Sequence, residues 1–487
     1  MFCKHVHRVK TFSNGTYLLM PFPERSSSYH LSLNALRAVA EFIRNLSAND
    51  ASPGLFPMLD TLQDRVVNAQ STHWHSACLE FLCNNTLQSL VLTFGYARAG
   101  DTLSAEVSQP LQELLPRIPL IWPHLCSLEL SDDGHSEPSR VEGYCGTVIA
   151  VLKKLPELRS FKANLLLHFP LLEALAELPQ LQTIEFTTSP RTASSFYKES
   201  HQVLHPGFRS LTHLTLGVCS PDSPLSLLHA LRGSETVRSI DIQFFYVQPA
   251  PQSSPSILFE AISHIHRLEY LDVALETLDE RSTIIPILSG TLLATLFKLR
   301  WMKKVYLTGF STTSLTDTDL ADAASAWPWL QEISFETVEN DNSSLDKITP
   351  SISLSGIQTL YNRCANIHHI SFDINDNLPL VNGSLELPTS QPRDREVEQL
   401  RLQVHACSGS STEYHARLVP MLIRLAFPRL KSFRVYSGTG DAWSSAARAG
   451  WKHVYRHMDP TEVRELLHEM YAEIVSRRPP PTSHGSP

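Results

Sequence analysis

The sequence predicts an α/β solenoid, a stack of strand-loop-helix units with parallel strands on the concave side and helices on the convex side. Two observations predict this fold. A short apolar motif recurs along most of the chain, and helical segments with one apolar face separate its copies. The length of 487 residues suits such a stack, because each unit contacts only its neighbours and no single central core is needed.

The recurring motif is LxxLxL, with any large apolar residue in its three fixed places. Successive copies start between 23 and 38 residues apart, a spacing typical of strand-plus-helix repeats. Less regular copies start at Leu59 and at Val6. This recurrence predicts a leucine-rich-repeat solenoid. The twelve regular copies start at Leu87, Leu125, Leu158, Leu181, Leu211, Val237, Leu268, Met302, Leu330, Ile367, Val397 and Leu430.

Each motif predicts a strand with one buried side. Side chains alternate along a strand, so the fourth and sixth motif residues share the buried side, and the third, fifth and seventh point outward. The outward positions hold mainly polar residues, such as Ser127, Lys304 and Ser334. The fourth-position residues predicted to be buried in consecutive parallel strands include Leu90, Leu128, Leu214, Ile240, Leu271, Ile333 and Ile370.

Helical segments lie between the motifs. Their apolar residues recur at three and four positions, which predicts one buried helix face. An N-cap with acids in the first turn is predicted from Thr316. A proline two residues before many of the motif starts ends the preceding helix, because proline cannot continue it. The helical segments start at Gly146, Ser226, Ile257, Thr291, Gly356 and Arg417, and the prolines are Pro57, Pro123, Pro156, Pro179, Pro328 and Pro428.

Four regions follow from the extent of the repeats. Residues 1–58 are expected to form an N-terminal strand/helix cap region, and residues 59–440 a solenoid of about 12 to 13 units. An amphipathic segment from Thr461 predicts a C-terminal helical cap over 441–476. The Pro-rich residues 477–487 are expected to be a disordered tail.

Composition limits the classes of partner and the cellular compartments that we expect for this chain. The net charge is -8, with 49 acidic against 41 basic residues, which argues against nucleic acid as the partner. The sequence has neither a membrane-length apolar stretch nor an apolar secretory segment at residues 1–10. Eight scattered cysteines form no CxxC pair and are expected to be reduced. We therefore expect a cytoplasmic or nuclear protein that does not bind membranes.

Catalytic and metal motifs are missing from the sequence. It contains no GxSxG, no P-loop and no Rossmann glycine pattern. His73 and His75 flank Trp74 without a Cys or acidic partner at metal-ligand spacing. We therefore expect no enzyme activity, no cofactor and no metal. An enzyme with an unrecognised site on the concave wall remains a remote alternative.

The segments that lead into the motifs resemble those of a known protein family. FPMLDTL, WPHLCSLEL, LPELRSF, WPWLQEISF and FPRLKSF, together with CKHVHRVKTF near the start, resemble the irregular leucine-rich repeats of fungal F-box proteins, within the ribonuclease-inhibitor-like class. The resemblance covers residues 2–440. It implies a protein partner, possible ubiquitin-ligase components, and substrate recognition for a Skp/cullin-type ligase.

The F-box itself is not found. Residues 22–46 hold a Pro-Glu followed by a helix-like run, but they lack the Leu-Pro-x-Glu start of the box. We therefore expect the chain as it stands not to bind a Skp-type adaptor. A free-standing scaffold with no ubiquitin link remains the alternative.

A partner-binding surface is predicted on the concave face toward the C-terminal half, because Tyr and Arg dominate recognition energy and the N-terminal units offer mostly small Ser and Thr there. The rim of long loops that follow the strands is the alternative. Those loops are 131–142, 188–207, 247–254, 337–350 and 374–396. The predicted surface residues are Tyr270, Asp272, Lys304, Tyr306, Glu332, Glu336, His369, Arg401, Arg434 and Tyr436.

Overall fold

The computed structural model divides into two compact units, Met1–Val247 and Gln248–Pro487. The regions expected as a C-terminal cap and tail, 441–487, lie outside the described residues except for Glu465, as does most of 1–58. The structure describes residues 11–14, 61–66, 87–94, 114–132, 138–163, 169–186, 207–218, 224–246, 254–277, 286–310, 314–336, 351–375, 380–381, 384–385, 397–405 and 430–437, with the single residues Ile423, Phe427 and Glu465.

The first unit is built on parallel strands that pair in chain order. Four helices connect some of these strands: α1 (Ile118–Ile121), α2 (Pro138–Leu152), α3 (Phe169–Ala176) and α4 (Leu225–Ala230). The described strands are β1 (Thr11–Asn14), β2 (Thr61–Val66), β3 (Ser89–Phe94), β4 (Ser127–Asp132), β5 (Ser160–Ala163), β6 (Thr183–Phe186), β7 (His213–Val218) and β8 (Ser239–Tyr246).

The second unit repeats this pattern. Its helices are α5 (Ser254–Ser263), α6 (Gly290–Thr295), α7 (Asp317–Ala326) and α8 (Leu354–Arg363). A two-stranded antiparallel pair, β13 (Leu380–Val381) with β14 (Ser384–Leu385), lies apart from the parallel strands. The parallel strands are β9 (Tyr270–Thr277), β10 (Lys304–Thr308), β11 (Glu332–Glu336), β12 (His369–Asn375), β15 (Val397–His405) and β16 (Leu430–Ser437).

Burial along the strands confirms the predicted register. All seven predicted fourth-position residues are buried, with Leu214 only 1% exposed. They stand opposite one another in neighbouring strands, as in Ile184, Leu214 and Ile240. The residues between the buried positions are mostly half-exposed, so the helices cover one side of the parallel strands. The fold is therefore an α/β leucine-rich-repeat solenoid, as the sequence predicts.

The first strand departs from the predicted register. The sequence motif at Val6 places Val9 in the fourth, buried position. In the structure Phe12 pairs with Leu62, the fourth residue of the next repeat, so the repeat is shifted by three residues. The sequence could not reveal this shift, because Val6, Val9 and Phe12 are all apolar and three apart.

Helix starts in the second unit are tied to the neighbouring repeats. Thr316 and Asp319 form the expected N-terminal cap of α7 as a reciprocal capping box. The carboxylate of Asp317 accepts hydrogen bonds from the backbone and side chain of Ser353, which caps α8, at 2.8 and 2.5 Å. Asp317, in the first turn of one helix, therefore also satisfies a backbone N–H at the start of the next helix.

The apolar-Pro-x-Leu steps act as predicted. Pro123 and Pro328 lie in the turns between a helix and the following strand, and the leucines two residues later, Leu125 and Leu330, are buried. The helix predicted from Arg417 lies outside the described part of the chain, except for the buried Ile423 and Phe427. Within the described ranges, no helix has both the length and the apolar character needed to cross a membrane.

Candidate functional site

The predicted surface residues occupy matching strand positions on six strands of the second unit. Glu336, Arg401, Arg434 and Tyr436 are placed by strand position. We call the ten residues the polar strip. They are Tyr270 and Asp272 on β9, Lys304 and Tyr306 on β10, Glu332 and Glu336 on β11, His369 on β12, Arg401 on β15, and Arg434 and Tyr436 on β16.

Strand register aligns the polar strip into rows that cross the sheet. Neighbouring parallel strands lie about 4.8 Å apart, so the members of one row are adjacent. Glu336 and Tyr436 belong to a third row, opposite Thr308 and Gln403 respectively. The first row is Tyr270, Lys304, Glu332 and His369. The second row is Asp272, Tyr306, Ser334, Ser371, Arg401 and Arg434.

Glu332 is the centre of the described part of the strip. Its side chain is only 16% exposed, and its Oε1 atom lies 2.6 Å from Nζ of Lys304 and 3.4 Å from Nε2 of His368. The Tyr306 hydroxyl donates a hydrogen bond to Oε2. One carboxylate therefore holds three side chains that come from the two repeats on either side of its own. We call these four residues the Glu332 cluster.

Aromatic side chains pack around this cluster. The ring centroids of Tyr270 and Tyr306 are 5.7 Å apart, and those of Tyr306 and His369 are 6.5 Å apart, both within the range of favourable ring contacts. The Tyr270 hydroxyl donates to Oδ2 of Asp272 at 3.1 Å. The polar strip therefore presents aromatic rings whose hydroxyl groups are already held by carboxylates.

The environment shifts three pKa values in this region. Burial raises the pKa of Asp272, and the hydrogen bond from Tyr270 offsets only part of that rise. For Glu332, burial by itself raises the pKa, but hydrogen bonds from Lys304 and Tyr306 and the charges of Lys304 and His368 bring it below its usual value. Burial and the hydrogen bond to Glu332 raise the pKa of Tyr306. The surroundings of Glu332 thus stabilise its ionised form, whereas the surroundings of Asp272 destabilise its ionised form.

These opposite shifts predict opposite effects of neutralising the two carboxyl groups. A lowered folded-state pKa stabilises the fold above the unfolded value of about 4.3 for Glu, and that contribution is lost as pH falls through the folded value. A raised folded-state pKa has the opposite sign, so the ionised Asp272 lowers stability at neutral pH. We expect Glu332→Gln to lower the urea midpoint at pH 7 and Asp272→Asn to raise it.

The same measurement at acid pH provides the control. As pH falls, Asp272 protonates first because its pKa is raised, so the Asp272→Asn difference should shrink before the Glu332→Gln difference, which is lost only as pH falls through the lowered pKa of Glu332. Urea titrations of the three proteins at pH 7, 5 and 3 measure this. A Glu332→Gln variant as stable as the wild type at pH 7 would contradict the stabilised-anion assignment.

The sequence missed two features of this face. Ser334 is predicted as an outward, solvated residue, but Ser334 and Ser371 are buried at 4% and 2% exposure. Tyr306, a larger residue, stands opposite Ser334 in the same row. The sequence does not reveal the contact of His368 with Glu332, because that contact depends on the side-chain positions of two repeats.

The first unit also carries charge on the corresponding strand positions. Glu129, Lys162 and Glu185 stand side by side on β4, β5 and β6, and Nζ of Lys162 lies 2.6 Å from Oε2 of Glu185. The hydrogen bond to Glu185 raises the pKa of Lys162. The prediction that the N-terminal units offer mainly small Ser and Thr therefore needs correction, because alternating charges occupy the middle of this face.

The other candidate features are metal ligands, the long loops and the cysteines. In the described ranges, no cluster of three or more His, Cys, Asp or Glu residues could hold a metal ion. His73, His75 and most residues of the long loops proposed as an alternative rim lie outside those ranges. The loop predicted over 131–142 is shorter in the structure, because 131–132 belong to β4 and 138–142 to α2. Cys126, Cys145 and Cys364 are free thiols, and burial raises the pKa of Cys364 to about 12, which suits a packing role.

Comparison with known proteins finds distant similarity to solved structures. No protein-family model matches the chain, and no curated protein sequence matches it. Among solved structures, it is similar to a Bacteroides fragilis protein at 10% identity and a TM-score of 0.29, covering 70% of this chain and 82% of that one. A chain of the yeast Rad7 and Elc1 complex matches at 12% identity and a TM-score of 0.30, over 78% and 86% of the two chains.

A third similar structure is the leucine-rich repeat-containing protein LegL7 from Legionella pneumophila. It matches at 13% identity and a TM-score of 0.28, over 77% of this chain and 92% of that chain. Similarities with TM-scores this low carry no argument about function. The fold assignment rests on the recurring motif, the parallel strand register and the burial pattern of this chain itself.

Proposed function

We propose that this chain recognises another protein and that the polar strip contacts that partner. The observation that carries the proposal is the Glu332 cluster with its surrounding rings, which combines Tyr, Lys, His and carboxylate groups on the side of the sheet that helices do not cover. Protein interfaces draw most of their binding energy from a few large side chains, with Tyr, Trp and Arg enriched among them. The strip contributes three tyrosines and two arginines.

Preorganisation supports the same proposal. Ordering a long side chain at an interface costs about 0.5 to 1.5 kcal/mol, which reduces affinity. In the polar strip, Tyr270 is already held by Asp272, while Tyr306 and Lys304 are held by Glu332. A partner that contacts these side chains therefore meets a surface that is largely ordered before binding. Because both charge signs are present, the matching partner surface is polar and of mixed charge.

A more specific role is substrate recognition for a Skp/cullin-type ubiquitin ligase. It rests on the resemblance of the repeat entries, such as WPHLCSLEL and WPWLQEISF, to those of F-box/leucine-rich-repeat proteins. A free-standing scaffold in the cytoplasm or nucleus is the alternative. In either case the chain works by binding and needs no cofactor.

The binding test needs a partner and two matched variants. Proximity labelling followed by reconstitution from purified proteins identifies the partner. We expect replacement of Tyr270, Tyr306, Arg401 and Tyr436 by Ala to weaken its affinity by roughly 100-fold or more, because several large contacts are lost together. Biolayer interferometry measures the affinity, and circular dichroism confirms that the variant is folded.

The control variant carries Ala at Glu129, Lys162 and Glu185, which occupy the corresponding face of the first unit. Its affinity should stay within about threefold of the wild type, since rim and remote charges contribute little. Unchanged affinity in the folded quadruple variant would move the site away from the polar strip. A strong loss in the control would move it to the first unit.

The ligase link has its own test. The purified chain and a purified Skp-type adaptor are mixed and examined by size-exclusion chromatography with light scattering. We expect no complex, because residues 22–46 lack the start of an F-box. A tight complex whose formation requires residues 22–46 would reveal a divergent F-box and support the ligase role. Stable partner levels on cullin inhibition would instead favour the free-standing scaffold.

A further inference from the structure

A second surface lies where the chain enters strands β9 to β11. The residue directly before the first motif leucine or methionine is Arg267, Trp301 and Trp329 in three successive repeats. Both indoles are unusually open to solvent, with Trp301 44% and Trp329 52% exposed. When large apolar side chains are exposed at equivalent positions of neighbouring repeats, a contact surface explains them better than chance does. We call Arg267, Arg300, Trp301 and Trp329 the tryptophan edge.

Backbone hydrogen bonds fix the spacing of this edge. The N–H of Lys303 donates to the carbonyl of Glu269 at 2.7 Å, and the N–H of Gln331 donates to the carbonyl of Lys303 at 2.7 Å. The three turns are therefore stacked one repeat apart. The guanidinium carbon of Arg267 lies 5.2 Å from the Trp301 ring centroid, which is a cation-π contact across that spacing.

The same repeat position bridges neighbouring turns in the first unit. There Nδ1 of His124 lies 2.9 Å from Oε1 of Glu157, and both residues follow the proline of an apolar-Pro-x-Leu step. Side chains at this position thus contact the next repeat in both units, as in His124 with Glu157 and Arg267 with Trp301. In the second unit the position combines one cation with two indoles.

The local charge differs from that of the whole chain. Arg267 and Arg300 are exposed at the edge. The nearby Lys303 and Lys298 are paired with Glu269 and Glu260, at 2.7 and 3.1 Å. The exposed guanidinium groups of Arg267 and Arg300 add positive charge to the edge, although the chain carries a net charge of -8. A bidentate guanidinium favours carboxylate partners.

We propose that the tryptophan edge docks an acidic peptide segment of a partner protein. The two indoles cover an aliphatic or proline side chain of that segment, and Arg267 and Arg300 face its carboxylates. This surface is separate from the polar strip, so the inference does not depend on the function proposed above.

Two other occupants fit the edge less well. Single-stranded nucleic acid needs a track of cations along its backbone, and the two lysines beside the edge are already neutralised by glutamates. A second copy of the chain, joined through a two-fold axis at this surface, would place two edges of the same positive character against each other, and like charges repel across an interface.

Three fluorescein-labelled peptides of equal length test the proposal by fluorescence anisotropy. The first alternates Glu or Asp with Leu and Pro, the second has Lys in place of every acid, and the third has Gly in place of Leu and Pro. We expect the first peptide to bind at least tenfold more tightly than either of the others. The double variant W301A/W329A should weaken that binding at least tenfold.

A matched control is Leu120→Ala, which removes another exposed apolar side chain from the first unit. It should leave the affinity unchanged. If W301A/W329A fails to fold, R267Q/R300Q replaces it. We expect the same tenfold loss of affinity for the first peptide, and a weaker salt dependence of binding than in the wild type. Failure of the first peptide to bind, or unchanged binding in the folded variants, overturns the proposal.

Fluorine NMR locates the contact directly. With 5-fluorotryptophan incorporated, the resonances of Trp301 and Trp329 are assigned from W301F and W329F. They should shift when the first peptide is added, whereas the buried Trp122 and Trp327 should not. A shift with single-stranded oligothymidylate and not with the peptide overturns the proposal in favour of nucleic acid. Self-association that W301A/W329A abolishes overturns it in favour of a second copy.

Discussion

Leu214→Asp is expected to unfold much of the first unit. Leu214 is 1% exposed and stands between Ile184 and Ile240 on neighbouring strands. Removing a buried leucine costs about 2 to 5 kcal/mol, and an unpaired carboxyl group in the same place adds its desolvation cost. The total of about 5 kcal/mol is comparable with the whole stability of many domains. Urea unfolding followed by circular dichroism measures the loss.

The cost of Leu214→Asp should also depend on pH. Burial raises the folded-state pKa of the introduced carboxyl group above its unfolded value of about 3.9. The variant therefore loses further stability, relative to the wild type, as pH rises above that value. The control is Ser239→Asp on the adjacent strand, where a half-exposed serine faces His213, and its stability should stay within about 0.5 kcal/mol of the wild type. Equal stability of the two variants would contradict the strand register described here.

Gly309→Ala should produce the second large loss. Gly309 follows β10 with φ of 81°, a left-handed conformation that costs a residue with a Cβ atom about 1 to 3 kcal/mol. An added Cβ would also lie 2.1 Å from the backbone carbonyl oxygen of Leu275 on the neighbouring repeat. Because a paired backbone cannot easily move away, we expect a total loss of about 3 kcal/mol or more.

Gly233 provides a matched control for Gly309. Its φ is 74°, but an added Cβ would meet nothing within 4 Å. Gly233→Ala should therefore cost only the conformational term, about 1 kcal/mol. Thermal and urea unfolding of both variants separate the two contributions. Equal losses in both would show that the close approach of Leu275 to Gly309 has no energetic importance.

The polar strip shows how far sequence reasoning extends toward a site. Strand alternation is enough to place Tyr270, Lys304 and Glu332 in one row, because a fixed repeat of motif and register determines which positions are neighbours. It does not determine which hydrogen bonds form. Several donors could reach Glu332, and the choice of Lys304, Tyr306 and His368 depends on rotamers and burial.

The tryptophan edge is a surface that the sequence alone does not reveal. Trp301, Trp327 and Trp329 lie within one stretch of sequence, and apolar character alone predicts burial for all three. The structure leaves Trp301 and Trp329 exposed in the turns before β10 and β11. It buries Trp327, the residue that follows the end of α7, against Phe297.

The sequence by itself determined the repeat, the strand and helix order, and the buried positions of the strands. These features follow from the period of the apolar residues, which each repeat states again in its own local sequence. The tertiary structure alone decided the contacts between repeats: Asp317 with Ser353, Gly309 against Leu275, Arg267 over Trp301, and the burial of Ser334. Such contacts join residues about 30 positions apart, and their geometry depends on how adjacent repeats stack, which no single repeat specifies.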